Sequence, residues 1–340
     1  MKKLAFCLFT FILSTHTLQA QQIQPWLTPY SAIYQKELGT IGECNILEDG
    51  VFRVCSEALK NDGNAPYVLH HGKPTAKTAV LFHGLSDSPY FFRSIAPLIH
   101  AQGYTVIVAL LPGHGKKQAD EDMEDSKLAA RWIEHVNDVM NYADSVSEQV
   151  YIGGFSTGGA LSTLYVLDNP DRVKGMMLFS GALALDESVE SMAGYWGIKW
   201  LSKMLDGDYE TMGPNPYKYP SVAKHSAFML TDIIFAIREK IEQGAPLDLP
   251  IFTAHSMADN TTPWRGIESL LAVNGGEGVK FILEKDLDVC HADVVVSAQQ
   301  LVDMQFDASA VEEPEKCSIP KANPKHPQML EALTTFVKTY

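Results

Sequence analysis

Long apolar runs are scarce in this 340-residue chain, and no internal repeat is found in it. A membrane-spanning helix needs roughly 20 consecutive apolar residues, and the stretch Leu4 to Leu13 falls well short of that. Basic side chains are in deficit: 27 Lys and Arg stand against 41 Asp and Glu, a net charge of −14. An acidic balance of this size disfavours nucleic acid and anionic membranes as partners and favours solubility. Cysteine is sparse, at five, and no CxxC pair occurs, so neither a zinc site nor any other metal is expected. Nothing in the composition fits a disordered or collagen-like chain. With 46% apolar and 20% charged residues, the chain can bury a substantial core. Its length suits one large α/β domain with an insertion, or two modest domains.

The first twenty residues, "MKKLAFCLFTFILSTHTLQA", have the make-up of a targeting segment. Lys2 and Lys3 give a positive start, Leu4 to Leu13 a short apolar region, and Ala20 a cleavage point. A cleavable signal peptide over 1–20 is therefore expected, with a periplasmic or secreted product. Its removal takes away two lysines and no acid, moving the net charge from −14 to −16. It also takes away Cys7 and leaves Cys44, Cys55, Cys290 and Cys317. An even number of cysteines in an exported chain suggests disulfides, the alternative being four buried thiols. Local pairing is expected, Cys44 with Cys55 and Cys290 with Cys317.

After a loop-rich N-terminal extension (21–65), strands and helices alternate. "TAVLFHG" (78–84), "YTVIVALLPG" (104–113), "QVYIGGF" (149–155), "VKGMMLFSG" (173–181), "LPIFTAH" (249–255) and "VKFILEK" (279–285) are short apolar runs closed by turn residues. Stretches of helical spacing separate them: "YFFRSIAPLIHAQG", the segment from Ser126, "TGGALSTLYVLD", and finally "PQMLEALTTFVKTY". Buried strands joined by helices predict a mostly parallel central sheet with helices on both faces. The rhythm breaks over 182–245, where no strand is evident and Met192, Tyr195, Trp196, Trp200, Met204, Tyr209, Tyr217 and Tyr219 crowd together. This stretch is read as an inserted helical cap over the strand ends, between a first core part (66–181) and a second (246–340).

One serine stands in the chain's sharpest predicted turn. Gly154-Phe155-Ser156-Thr157-Gly158 lies between a clear strand and a clear helix. That context turns a weak five-residue pattern, G-x-S-x-G, into the signature of a nucleophile elbow. A serine hydroxyl is a poor nucleophile near neutral pH, so it needs a base, and the base needs an orienting acid. The expected chain order is serine, acid, histidine.

Of the histidines after Ser156, His225 lies in the cap, His326 precedes a proline at the last helix, and His255 ends the strand before the best acid. His291, in the loop after "VKFILEK", is the expected base. Asp259, in "TAHSMADNTTPW", is the expected acid. Its rival is Asp186, and Asp286 and Asp288 lie too close in sequence to His291. The N–H of Thr157, at a helix start, and that of Leu85, in "FHGLSDSPYFF", are the expected oxyanion donors. His83 is expected to brace that loop rather than to react.

"HGLSDSP", "LLPGHG", "GFSTGG", "ADNTTP" and "CHADV" occur together in this order. The chain thus resembles the α/β-hydrolase superfamily, and within it the monoacylglycerol lipase, lysophospholipase and carboxylesterase group. The resemblance covers roughly 66–340 and is least specific in the cap. It implies the α/β-hydrolase fold, Ser156, Asp259 and His291 as the triad, Leu85 and Thr157 as oxyanion donors, no cofactor, and mainly structural duties for Gly113, His114 and Gly115. The expected activity is hydrolysis of carboxylic esters, of medium acyl chains or monoacyl lipids, with transient contact at lipid interfaces. An acyltransferase, amidase or peptidase would share the same acyl-enzyme, and a non-catalytic binding protein would not need the ordered triad. Oligomeric state is not legible.

Overall fold

The computed structural model describes residues 24–195, 197–311 and 315–340, and the expected signal peptide lies outside the described residues. Eight strands form one sheet: β1 (Val51–Arg53), β2 (Tyr67–Leu69), β3 (Lys77–Phe82), β4 (Thr105–Ala109), β5 (Gln149–Phe155), β6 (Gly175–Phe179), β7 (Ile251–Ser256) and β8 (Gly278–Leu283), in the order β1-β2-β4-β3-β5-β6-β7-β8. β3 to β8 run parallel, and β1 and β2 add an antiparallel edge. Every residue of β4, β6 and β7 is buried, as a strand covered on both faces must be. The edge strand β8 is only partly buried and carries one charged residue, Lys280.

Two segments differ from the sequence expectation. "YFFRSIAPLIHAQG" is not one helix but a 3-10 turn (Pro89–Phe92) followed by the short helix Ala96–His100. Pro97 has no N–H to donate to a preceding turn, so it can only open a helix, and the chain restarts there. The N-terminal extension was expected to lie before the core, yet β1 joins the sheet, and Tyr30 and Tyr34 are fully buried, Tyr30 donating to the Val108 carbonyl (3.1 Å). A three-residue strand and a six-residue helix (Thr28–Ile33) are too short to show a period, which is why sequence patterning passes over them.

The inserted region carries three helices, Glu187–Ala193, Ile198–Asp206 and Lys224–Glu242, and no strand among the described residues. The third packs on the helix Thr157–Asp168 and buries Phe228, Leu230, Ile233, Ile234 and Ile237. Between the second and third, the strap 214–220 is fastened to the core. Asn61 and Asn64 side-chain amides donate to the Pro216 carbonyl, Ser88 Oγ to the Tyr217 carbonyl, and the Tyr219 N–H to the Ser86 carbonyl (2.8 Å). Disulfides join Cys44 to Cys55 and Cys290 to Cys317.

Candidate active site

Ser156 sits at the junction of β5 with the helix Thr157–Asp168, at φ 52° and ψ −116°, a conformation costly for any side chain. Four backbone bonds hold it there: its N–H donates to the Phe179 carbonyl, and its own carbonyl accepts from Gly159, Ala160 and Ala182. The flanking glycines do more than clear space around the hydroxyl. A Cβ on Gly154 would lie 2.2 Å from the Gly158 carbonyl carbon, and one on Gly158 would lie 1.9 Å from the Phe82 carbonyl oxygen. Glycine is therefore what lets the first helical turn rest directly on the backbones of β5 and β3.

The turn aims Ser156 Oγ at an imidazole from the far end of the sheet. His291 Nε2 is 2.8 Å from Ser156 Oγ, and His291 Nδ1 is 2.7 Å from Asp259 Oδ2. The carboxylate can only accept, so Nδ1 carries the proton and Nε2 offers its lone pair to the serine O–H. Asp259 is fixed in turn by the N–H groups of Thr261 and Thr262 on Oδ1 (2.9 Å each) and by the Thr262 hydroxyl on Oδ2 (2.9 Å). Burial alone would raise the Asp259 carboxyl, but the neighbouring His291 ring and these donors outweigh it and hold the pKa below the ordinary value. The structure thus brings Ser156, His291 and Asp259 into one unbroken hydrogen-bonded line.

Neither the Thr157 nor the Leu85 N–H donates to any acceptor among the described residues. Thr157 is the first residue of its helix and has no intrahelical partner to find. The Leu85 loop is held in a strained form, with Ser86 at φ 63° and its carbonyl tied to Tyr219. His83, fully buried, braces it: Nδ1–H donates to the Gly84 carbonyl (2.8 Å) and Nε2 accepts from the Leu111 N–H (3.0 Å). Burial, reinforced by nearby His114, pushes its pKa well below the ordinary value, so the ring stays neutral. Next along, buried Asp87 pairs with Lys218 of the strap at 2.8 Å.

The other candidates lie elsewhere. Asp186 caps the helix Glu187–Ala193 through Ser188, and Asp288 pairs with Lys316; neither they nor Asp286 hydrogen-bond His291 among the described residues. His225 is bonded to the Lys199 and Asp125 carbonyls, and His326 to Ser94. His114 bonds its own loop at Pro112, and His255 is buried edge-on to Trp264. Two contributors escape sequence reasoning. Thr262, signalled only by the Asp-x-x-Thr turn in "DNTT", bonds the carboxylate and lies 3.1 Å from His291 Nδ1, and Phe155, the variable residue before the serine, stacks on the His291 ring at 4.9 Å.

A cavity of about 580 Å³ opens above Ser156 and His291, with apolar walls from Leu185, Val189, Val222 and Leu230 of the inserted region. Among the described residues, no group of three or more His, Cys, Asp or Glu is placed to hold a metal ion.

Residues 73–227 match the Hydrolase_4 family, described as "Serine aminopeptidase, S33". The fold aligns with one of the metagenome-derived lipolytic enzymes LipS and LipT over 82% of this chain and 98% of that one, with a TM-score of 0.60 at 18% identity. The chain has the α/β-hydrolase fold. Among curated relatives, the chain is 23% identical over 181 residues to a thermostable monoacylglycerol lipase from a Bacillus species, and 24% identical over 213 residues to caffeoylshikimate esterase from Arabidopsis thaliana. Those stretches span just over half of this chain (53% and 54%), 70% of the lipase and 62% of the esterase. The fold also aligns with a monoacylglycerol lipase structure from Paleococcus ferrophilus over 78% of this chain and 96% of that one (TM-score 0.52, 15% identity). The chain resembles the monoacylglycerol lipase group of the α/β hydrolases.

Proposed function

We propose that this α/β hydrolase is an exported serine esterase that cleaves carboxylic esters of medium-chain acids or monoacyl lipids. The observation that carries the reading is the line Asp259–His291–Ser156 ending beside two undonated N–H groups. In this mechanism His291 Nε2 takes the serine proton as Ser156 Oγ attacks the ester carbonyl. Asp259 stabilises the imidazolium, and the Leu85 and Thr157 N–H groups receive the negative oxygen, each worth about 3–4 kcal/mol in the transition state. The imidazolium then gives its proton to the leaving alcohol oxygen. Water activated by the same ring releases the acid and regenerates Ser156. Two disulfides and the targeting features of 1–20 support export.

The apolar walls of the cavity support an acyl chain as the group bound under the inserted helices. The run Phe228 to Ile237 is mostly buried and packs inward. Exposed apolar residues concentrate instead on the neighbouring helix, at Trp200, Leu201, Met204 and Leu205, and they support contact with a lipid surface. A steep rise in activity as substrate passes from monomers to micelles checks that contact.

The family description, a serine aminopeptidase, favours amide cleavage as a second reading. The deciding experiment compares a fluorophosphonate probe on wild type and Ser156→Ala, then profiles esters and amides of increasing acyl length. Labelling lost in the variant and ester turnover above amide turnover are expected; equal labelling of both proteins overturns the assignment.

A further inference from the structure

Behind the His291 loop lies a second chamber, of about 390 Å³, which shares Lys218, Ala292 and Cys317 with the catalytic cavity as common wall. That volume is within the range of small-molecule sites. Phe91, Tyr219, Val296 and Phe306 give it an apolar and aromatic lining. Asp293 provides its one buried acidic group. The residue is 4% exposed, its Oδ1 accepts from the Lys321 N–H (2.9 Å), and its other oxygen has no hydrogen-bond partner among the described residues. His291 and Asp293 belong to the same 3-10 turn, His291–Val295, one lining the catalytic cavity and the other the second chamber.

The direction of the chemistry connects the two. The imidazolium must reach the departing oxygen with the proton on Nε2, so the alcohol part of an ester lies against the His291 loop. Of the three residues common to both cavities, Ala292, next to His291, is small and partly exposed, and the Lys218 ammonium is already paired with Asp87. We propose that this second chamber is a subsite for the leaving alcohol, taking one with an aromatic body and a terminal hydroxyl that donates to Asp293. The proposal rests on the esterase reading above. Burial pushes the Asp293 carboxyl up to about 6, with Lys321 and Lys218 offsetting it only in part, as expected of an acid short of donors. A donor from the ligand supplies what the fold leaves out. An anionic leaving group is disfavoured beside it.

The test holds the acyl group constant and varies the alcohol, using ethyl, phenethyl and tyrosol butanoates with the full mature chain (tyrosol is phenethyl alcohol with a para-hydroxyl). Wild type is expected to favour phenethyl over ethyl in kcat/KM by about tenfold, from burial of the ring. Tyrosol should gain about tenfold more from the hydrogen bond. Asp293→Leu should bring the tyrosol-to-phenethyl ratio to about one while keeping the phenethyl-to-ethyl ratio. Ala292→Phe, which puts a ring where the two cavities adjoin, should remove both preferences. No preference in wild type, or preferences that survive both substitutions, overturns the subsite. Failure of the esterase reading looks different, because wild type would then leave all three esters uncleaved or Ser156→Ala would still cleave ethyl butanoate.

Discussion

The Thr262 hydroxyl donates to the same Asp259 oxygen, Oδ2, that receives the His291 N–H, at 2.9 and 2.7 Å. The acid is thereby held in rotation as well as in charge. With that hydroxyl gone, Asp259 keeps its two backbone donors on Oδ1 but loses the restraint on the oxygen facing the imidazole.

Thr262→Val should therefore lower kcat about tenfold or more, the worth of a hydrogen bond to a charged group, with KM little changed. Thr262→Ser should restore most of it. A kcat equal to wild type in the valine variant would show that the backbone donors suffice.

A second prediction concerns the elbow. Gly158→Ala puts a methyl 1.9 Å from the Phe82 carbonyl oxygen, where only backbone can yield. The protein should lose several kcal/mol of stability (about 3–5) or fail to fold. Gly42→Ala, with nothing within 4 Å of the added carbon, should melt within a few degrees of wild type. Equal melting temperatures for the two variants would contradict the packing described.

The two disulfides should separate stability from activity. Closing loops of 11 and 27 residues contributes about 3 and about 3.5 kcal/mol in the chain-entropy model. Removing either pair should lower the melting temperature. Only the Cys290→Ser/Cys317→Ser pair should lower kcat measured well below melting, because Cys290 precedes His291 and Cys317 lines the cavity. Thiol counting in denatured wild type should find neither pair free.

Acid should weaken the fold. Burial pushes His114, His135 and His255 down to about 4, whereas the unfolded chain protonates them near the ordinary value of about 6.5. Between those limits the unfolded state binds more protons, so stability falls as pH drops through the window. Asp293 acts oppositely: its carboxyl, raised to about 6, keeps a proton that the unfolded chain releases, and it stabilises the fold as pH falls. Three histidines outweigh one acid. The urea midpoint should be lower near pH 4.5 than near pH 7, and His135→Gln should flatten the slope. A midpoint that rises on acidification would contradict the burial of these rings.

Much of the parallel sheet was legible in the amino-acid order, because a strand buried on both faces is mostly apolar, as β4 and β6 are. The elbow was legible for a related reason: two glycines around Ser156 are a steric requirement that no other residue meets. The succession of serine, acid and histidine could also be read along the chain. The meeting of Ser156 and His291 across 135 positions, the bond from Thr262, the stacking of Phe155, the fastening of the 214–220 strap and the chamber behind Ala292 could not. Local sequence determines which backbone shapes and faces are allowed, through sterics and burial. Distances between side chains from different strands depend on how the whole sheet twists and packs, and only the tertiary structure decides them.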